Sequence, residues 1–468
     1  MFNKSNLIKI EDFLWEIPKS FRSDMRVPAR IYTSEAMLNA IVVDKSLEQL
    51  VNVATLPGIH GYALAMPDIH EGYGFPVGGV AAFDSEEGII SPGGIGYDIN
   101  CGVRLLRSNK TFSEIKSYLH NLGRAIYREV PSGVGVRGKL TLRDKDLDFV
   151  LEKGAERLLG LGYGEADDLE HIESGGVLHT AVPDLVSGQA KKRGHDQLGT
   201  MGAGNHFVEV GVIEAIFDEE EAIKLNIFKD QVTVLIHTGS RGLGHQIATD
   251  YIRTMMKVMP SYGITLPDRE LACAPFTSDE GQEYFKAMSA GANFAWANRQ
   301  FITCEVRKAW QDVLGIEGGP LSVVYDVAHN IAKIEEYTLN GKKHRLVVHR
   351  KGATRSFPGQ PVLIPGSMGT HSYVLVGQEK ALTASFGSSC HGAGRRMSRT
   401  RAKKEVSVQE LRQRLEGMGI VVNAGSSKGL TEESPEAYKD VNEVVDVIHE
   451  AGIAKKVARL KPVAVIKG

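Results

Sequence analysis

The stretch GYDINCGVR at residues 96–104 places Cys101 three residues after Asp98, within a glycine-rich run that begins at Gly93. An isolated cysteine is most often a small buried hydrophobe. Here the flanking glycines favour a tight turn that directs Asp98 and Cys101 towards one point. Because a carboxylate oxygen and a thiolate sulfur both bind metal ions, the turn predicts part of a metal site if imidazoles elsewhere complete it.

Three histidines stand where an apolar, β-branched segment meets a glycine-rich or polar turn. GAGNHFVEVG places His206 at the start of one segment, while VTVLIHTGSRGLGH and VVYDVAHN place His237 and His329 at the ends of two others. One histidine of this kind is usually structural. Three in the same position favour a metal centre, since loops at strand ends are where scaffolds present functional groups.

The five donors can serve two cations if the thiolate bridges them. One cation would take Asp98, Cys101 and His206, and the other would take Cys101, His237 and His329. Two neighbouring cations with open positions suit phosphoryl transfer, in which the attacking and leaving oxygens both need charge stabilisation. Spacing alone leaves this arrangement and ordinary buried histidines as alternatives.

A second reactive feature is SSCHGAGRRMSR, in which His391 precedes Gly392, Ala393, Gly394 and a basic run. The histidine is either a loop residue beside a glycine turn or a nucleophile that attacks phosphorus. In the second interpretation the following backbone N–H groups approach phosphate oxygens. The spacing does not decide between the two.

Familiar nucleotide-binding motifs are absent or out of context. PSGVGVRGKL matches GxGxxG at Gly133, Gly135 and Gly138, but the KLTLRDKDLD that follows does not begin an apolar helix. The sequence holds no GxxxxGK[ST] phosphate loop. A nucleotide would therefore be held in another way.

Composition is that of a globular protein, with 468 residues, 42% hydrophobic and 24% charged. The net charge of −2 gives no support for a basic nucleic-acid-binding domain, although basic clusters occur at 191–195, 342–355 and 394–404. The four cysteines form no CxxC pair, which favours a reducing compartment. Without a secretory leader or a membrane-length apolar run, the chain is predicted to be cytoplasmic with no membrane partner.

Periodicity predicts interleaved helices and strands rather than strict alternation. Helices are predicted over 113–129, 279–313, 407–417 and 436–451, and strands over 206–213, 231–237, 321–329 and 344–350. No repeat or linker divides the chain. We therefore predict an α+β fold, a single large mixed domain over 1–468 whose sheets and surrounding helices enclose a central metal cleft.

Eight motifs, taken together and in order, strongly resemble the RtcB family of RNA-splicing ligases. The resemblance runs from about residue 25 to the last residue, and the motifs are PDIHEGYGFPVGG, GYDINCGVR, GAGNHFVEV, HTGSRGLGH, YDVAHN, PGSMGTHSYVL, HGAGRRMSR and KPVAVIKG. It implies a ligase that joins RNA ending in a 2′,3′-cyclic phosphate or 3′-phosphate to RNA with a 5′-hydroxyl, in tRNA splicing or RNA repair.

The resemblance also implies two Mn²⁺ ions and GTP as cofactors. The family's five metal ligands fall on Asp98, Cys101, His206, His237 and His329, with the thiolate as the bridge, and its guanylylated histidine falls on His391. Its guanine-nucleotide contacts fall on Asn205, His206, Phe207, Val208, Glu209, His329, Asn330, Pro365, Gly366, Ser367, Met368, Ser372, His391, Gly392, Ala393, Gly394 and Lys467. One departure is His371, where many members carry a small residue.

Further roles are predicted for residues near these motifs. A histidine nucleophile needs its other ring nitrogen oriented, and Asp68 in MPDIHEG is the predicted carboxylate. The apolar PVAVI before Lys467 predicts a strand that ties this lysine into the fold, where the resemblance sets it against the guanine base. An RNA groove is predicted from Arg193, Arg241, Lys351, Arg355, Arg395 and Arg399.

Two other classes remain open on the residues alone. A metal-dependent phosphatase or nuclease would use the same ligands without a covalent guanylate, and a non-catalytic RNA-binding module would need only the basic clusters. The physiological RNA, the oligomeric state and any need for an activating partner such as archease also stay open.

Overall fold

The structure is a computed structural model that describes residues 2–468, apart from the side chains of Asp144, Ser427 and Lys428. Its strands are β1 (Ile8–Glu11), β2 (Leu14–Ile17), β3 (Ala29–Tyr32), β4 (Ala63–His70), β5 (Val77–Asp84), β6 (Ile89–Ile90), β7 (Gly102–Thr111), β8 (Phe207–Ile216), β9 (Gln231–Thr238), β10 (Ala274–Pro275), β11 (Ser322–Ala328), β12 (Asn330–Leu339), β13 (Lys342–Lys351), β14 (Ala353–Arg355), β15 (Pro361–Ile364), β16 (Ser372–Gly377), β17 (Ser388–Cys390), β18 (Val421–Ala424) and β19 (Ala454–Lys467).

The α-helices lie between and around these strands. They are α1 (Glu35–Ile41), α2 (Ser46–Val53), α3 (Phe112–Ile115), α4 (Leu119–Glu129), α5 (Asp144–Lys153), α6 (Ala155–Gly160), α7 (Ala166–Glu170), α8 (Gly188–Gly194), α9 (Glu219–Lys224), α10 (Arg241–Val258), α11 (Asp279–Leu314), α12 (Glu379–Ala384), α13 (Arg399–Glu405), α14 (Val408–Gly417), α15 (Ser427–Glu432) and α16 (Val441–Glu450).

Two large sheets form the framework. The first has seven strands in the order β1-β2-β3-β4-β5-β13-β12, antiparallel except for the β3–β4 pair. The second has eight, in the order β11-β7-β9-β8-β19-β16-β15 with β18 added parallel to β19. Because each sheet has apolar residues to bury, helices pack on both, with α1, α2 and α16 on the first and α4 on the second.

A third core is mainly helical. It gathers apolar side chains of α5, α6, α8, α10 and α11, including Leu147, Leu158, Leu243 and Trp296. Helix α11 is its longest member, with 36 residues. It begins where Ser278 accepts the N–H of Gly281, and two acidic residues in its first turn complement the helix dipole.

The predicted elements are confirmed with small differences at their ends. Strands β8, β9, β11 and β13 occupy the four predicted segments, and α11 and α14 occupy two of the predicted helices. The predicted helix over 113–129 is interrupted by a 3₁₀ turn at Lys116–Tyr118. The helix predicted over 436–451 begins at Val441, because Asp440 caps it by accepting the N–H of Asn442.

The mixture of sheets and helices confirms the predicted α+β class. One domain over 1–468 stays a prediction. Among the described residues, no helix is both long and apolar enough to cross a membrane.

Candidate active site

The larger sheet brings the ends of several strands to one edge. Strand β7 begins at Gly102, opposite Thr238 of β9, and β8 begins opposite His237. Since Cys101 and His206 directly precede β7 and β8, antiparallel pairing sets both next to His237. The side chains of His206 and His237, which are 105 and 136 residues from Cys101 in the sequence, thus converge on its thiol.

His329 reaches the same point from the junction of the two sheets. It is the only residue between β11, in the eight-stranded sheet, and β12, in the seven-stranded sheet. Its N–H donates to the carbonyl of Cys101 at 2.9 Å. The chain therefore changes sheets at a predicted metal ligand.

The five predicted donors form two groups that share one sulfur. Cys101 Sγ lies 3.3 Å from His206 Nε2 and 3.4 Å from His237 Nε2. The two remaining contacts join His237 Nε2 to His329 Nε2 at 3.3 Å and Asp98 Oδ2 to His206 Nε2 at 2.9 Å. The ligand atoms of Cys101, His237 and His329 lie within 4.8 Å of one another, as do those of Asp98, Cys101 and His206.

The chemistry of this cluster fits divalent cations. Burial lowers the pKa of His237 and of His329 well below its usual value, so both imidazoles are neutral and offer lone pairs. Burial also raises the pKa of the Cys101 thiol, and a cation that replaces its proton relieves that cost. A carboxylate, a thiolate and three imidazoles are suitable donors for first-row divalent metals.

His391 and Asp68 form the second part of the site. Asp68 is in β4 of the seven-stranded sheet, and His391 directly follows β17. Asp68 Oδ2 accepts from His391 Nδ1 at 2.6 Å, from the His391 N–H at 3.1 Å and from the Gly392 N–H at 3.3 Å. Burial alone would raise the pKa of Asp68, but the charge and hydrogen bonds of His391 outweigh it and lower the pKa.

This pair fixes which nitrogen of His391 can react. Because Nδ1–H donates to a buried carboxylate, the lone pair resides on Nε2. The imidazole ring of His391 lies with its centroid 4.9 Å from that of His329. His391, the candidate nucleophile, and His329, one of the candidate metal donors, therefore face the same space.

That space is a cleft of about 340 Å³, within the usual range of small-molecule sites. Most of the predicted nucleotide contacts line it, namely Asn205, Phe207, His329, Asn330, Pro365, Gly366, Ser367, Met368, His391, Gly392, Ala393, Gly394 and Lys467. They come from both sheets and from the loops after β15 and β17.

Four other predicted nucleotide contacts do not line this cleft. His206 lines a neighbouring cavity, and Val208, on the opposite face of β8 from Phe207, packs into the core of the eight-stranded sheet. Glu209 and Ser372 are buried and hydrogen-bonded to each other, and burial raises the pKa of Glu209 to about 8.

Lys467 is buried at the end of β19, opposite Phe207 of β8, as the apolar PVAVI predicted. Its Nζ donates to the Gly204 carbonyl at 2.5 Å and lies 3.5 Å from that of His206. Burial lowers the pKa of Lys467 to about 8. His371, the departure from the family pattern, does not line the cleft, and its Nε2 lies 3.2 Å from Glu214 Oε2.

A second cavity of about 310 Å³ opens beside the Asp98 and His206 ligands. Arg193 and Arg241 line it together with Tyr97 and His245, whose rings stack 4.7 Å apart. Arg241 begins α10 with a positive φ of 56°, held by its Nη2 donating to Gly133 O at 3.0 Å. A left-handed arginine is costly and is typical of functional sites.

The other predicted RNA contacts are placed differently. Lys351 lines the cleft, but its Nζ donates to the carbonyls of Tyr73 and Phe75, and burial lowers its pKa to about 7. Arg395 and Arg399 line the cleft mouth. Arg355 lines neither cavity and instead contacts Gln360, Glu173 and the Phe357 ring.

The cleft is also lined by residues for which the sequence predicted no role, among them His70, Glu71, Glu433 and Tyr438. His70 and Glu71 follow Asp68 in the motif PDIHEGYGFPVGG, so their closeness to Asp68 in the sequence could have indicated their place in the site. Glu433 and Tyr438 line the cleft mouth and bind Arg395, at 3.2 Å and 3.1 Å. No pattern in TEESPEAYK predicts their position.

Several known proteins are similar to this chain over nearly its whole length. The family model described as tRNA-splicing ligase RtcB matches residues 49–468. Proteins named tRNA-splicing ligase RtcB are 54% identical in Nanoarchaeum equitans, 52% in Thermococcus kodakarensis and 52% in Archaeoglobus fulgidus. Each of these alignments covers 99% of both chains. The chain therefore belongs to the RtcB family.

Proposed function

We propose that this protein is an RNA ligase that uses GTP and Mn²⁺ to join RNA ending in a 2′,3′-cyclic phosphate or 3′-phosphate to RNA with a 5′-hydroxyl. The observation that carries the proposal is that one cleft is lined both by His391, whose Nδ1 donates to Asp68, and by the Cys101-centred cluster. This cluster consists of Asp98, Cys101, His206, His237 and His329, and all of them except His206 line the cleft. The names of the relatives, tRNA-splicing ligase, support tRNA halves as the RNA.

In the first step His391 Nε2 attacks the α-phosphorus of GTP, a P–N bond forms, the P–O bond to pyrophosphate breaks and pyrophosphate leaves. Asp68 holds the proton on Nδ1 and stabilises the positive ring that results. The Cys101-centred cluster would hold cations, and these would supply positive charge next to the phosphate oxygens.

A 2′,3′-cyclic end must first be opened by water, which adds to phosphorus as the P–O2′ bond breaks and leaves a 3′-phosphate and a 2′-hydroxyl. In the second step an oxygen of the RNA 3′-phosphate attacks the phosphorus of the guanylate, and the P–N bond breaks to return the electron pair to His391 Nε2. The 5′-hydroxyl of the other RNA then attacks the 3′-phosphate and GMP leaves. Arg193 and Arg241 in the second cavity are suited to hold RNA phosphates beside Asp98 and His206. A location in the cytoplasm and archease as a partner protein belong to the same proposal.

The test is incubation with α-labelled GTP and Mn²⁺, followed by denaturing electrophoresis. Wild-type protein is expected to retain label, and His391→Gln is expected to lose it. His344→Gln is the matched control, because His344 lies in β13 and outside the cleft. Retention of label by His391→Gln would remove the nucleophile assignment, and no label on wild type would favour a phosphatase, a nuclease or a non-catalytic RNA-binding module.

A further inference from the structure

Helix α11 carries polar side chains within its buried stretch, which is otherwise rich in apolar residues. Asn298 and Arg299 are 0% exposed, yet both are adjacent to the segments that bear the metal ligands. Burying an arginine is costly unless its donors are satisfied. The groups that accept hydrogen bonds from the Arg299 guanidinium therefore indicate the role of Arg299.

Arg299 donates hydrogen bonds to the backbone of two segments that carry candidate metal donors. Its Nη1 donates to the carbonyl of Asn100 at 2.8 Å and to that of Thr238 at 2.9 Å. Asn100 directly precedes Cys101, and Thr238 directly follows His237. A single guanidinium nitrogen thus joins the turn that carries the shared thiol to the strand end that carries an imidazole.

The same guanidinium also reaches the strand that leads to His329. Its Nε and Nη2 donate to the two carboxylate oxygens of Asp326 in β11, each at 2.9 Å. A Cβ added to Gly102 would lie 3.1 Å from Arg299 Cζ, so the guanidinium sits directly against the start of β7. The planar, five-donor fork of arginine suits this geometry, whereas lysine has one nitrogen.

Asn298 makes the corresponding connection for the segment before His206. Its Oδ1 accepts from the Gly199 N–H at 2.8 Å, and its Nδ2 donates to the carbonyls of Thr200 and Gly239, each at 3.1 Å. The two adjacent residues of α11 therefore contact the segments of Cys101, His206, His237 and His329.

We propose that Arg299, assisted by Asn298, is a positioning residue that fixes the spacing of the four ligand segments so that two cations share Cys101. The inference rests on the proposed function in one respect, namely that the cluster binds cations. It predicts weaker metal binding after substitution even though neither side chain touches a metal. Outer partners of metal ligands are typically worth about 10- to 100-fold in affinity.

The test is a Co²⁺ titration followed by absorption, which reports affinity and the thiolate charge-transfer band. Arg299→Lys keeps the charge and is expected to bind Co²⁺ about 10- to 100-fold more weakly, with a diminished thiolate band. Arg104→Lys is the matched control: Arg104 is also 0% exposed and bonds Asp326, but its other partners are Gln300 and Thr303. It is expected to bind Co²⁺ as the wild type does.

Unchanged Co²⁺ affinity in folded Arg299→Lys would overturn the inference. Equal loss in Arg104→Lys would overturn it too, because the effect would then follow from the buried ion-pair network as a whole. If Arg299→Lys does not fold, the same titration of Asn298→Ala, a substitution that removes no charge, is the test. A Co²⁺ affinity equal to that of the wild type in Asn298→Ala would count against the proposal. Failure of the wild type itself to bind Co²⁺ would instead count against the proposed function.

Discussion

Asp68 and His391 are 323 residues apart in the chain and meet through a 2.6 Å contact between Oδ2 and Nδ1. The contact joins β4 of the seven-stranded sheet to the turn after β17, next to the edge at which the eight-stranded sheet presents the candidate metal donors. Asp68 is fully buried and accepts three hydrogen bonds from the His391–Gly392 segment through one oxygen. It therefore holds the ring and the backbone of His391, the proposed nucleophile, together.

Asp68→Asn is expected to slow the labelling of His391 by GTP by up to about 10⁴-fold, the cost of replacing a carboxylate that orients a catalytic histidine by its amide. The amide keeps the shape but cannot stabilise the positive imidazole. The measurement is the single-turnover rate of label transfer from α-labelled GTP. Asp312→Asn, at an exposed position, is the control. An unchanged rate in Asp68→Asn would show that the contact does not act in the reaction.

Cys101→Ser is expected to lose both bound cations, because a hydroxyl is a far poorer bridging ligand than a thiolate. His329→Ala, whose imidazole belongs to one group of donors, is expected to lose one. Metal content after dialysis against Mn²⁺, measured by elemental analysis, distinguishes the two cases. Cys304→Ser is the control, since Cys304 is half-buried and outside both groups. Two retained ions in Cys101→Ser would contradict the bridge.

Arg241→Gln is expected to weaken RNA binding for all sequences alike and to reduce the slope of log affinity against log salt by about 1. The reason is that Arg241 lines the second cavity and would neutralise one phosphate there. Binding of a labelled single-stranded RNA at several salt concentrations provides the measurement. Lys229→Gln, at an exposed position outside both cavities, should leave affinity and slope unchanged. If Arg241→Gln behaves like this control, Arg241 does not contact RNA.

Glu209→Gln is expected to flatten the pH dependence of stability. Burial raises the pKa of Glu209 from 4.5 to about 8, so the folded protein keeps a proton that the unfolded chain has lost. Stability therefore falls as pH rises between about 4.5 and about 8, and the amide removes this loss. Thermal midpoints of the variant and of the exposed control Glu379→Gln across this range provide the test. A parallel decline in all three proteins would contradict the assignment.

The convergence of the candidate metal donors could be predicted because its signal in the sequence is local. Cys101, His206, His237 and His329 each stand beside an apolar, β-branched segment, and antiparallel pairing makes the ends of such segments meet. The α+β class was predictable for the same reason, since strand and helix periodicities are local properties of the chain.

The supporting residues could not be predicted in this way. Arg299 lies in the middle of a 36-residue helix, and only the tertiary fold brings it against Asn100 and Thr238. For Arg355 and Lys351 the sequence was misleading, because their basic cluster predicted contact with RNA. In the structure Arg355 instead contacts the carboxylate of Glu173, and Lys351 donates to the carbonyl of Phe75. Charge in a sequence does not report whether a side chain meets water, a carboxylate or a carbonyl.

Lys467→Ala is expected to relax the preference for GTP over ATP. The ammonium has three N–H donors, and the carbonyls of Gly204 and His206 occupy at most two of them. The third is available to the cleft that Lys467 lines, where it would donate to a carbonyl oxygen that guanine has and adenine lacks. A hydrogen bond to a charged group is worth about 1.5–3 kcal/mol, which corresponds to about a tenfold to hundredfold change in preference.

The measurement is the ratio of labelling rates with α-labelled GTP and ATP, together with Mn²⁺ content. Lys461→Ala is the matched control, because Lys461 lies on the same strand β19 but is exposed. The variant should label more slowly with GTP, approach equal rates with the two nucleotides and keep its metal. If it keeps both a full rate and a full GTP preference, Lys467 serves only to hold the segment before β8, and base recognition must lie elsewhere in the cleft.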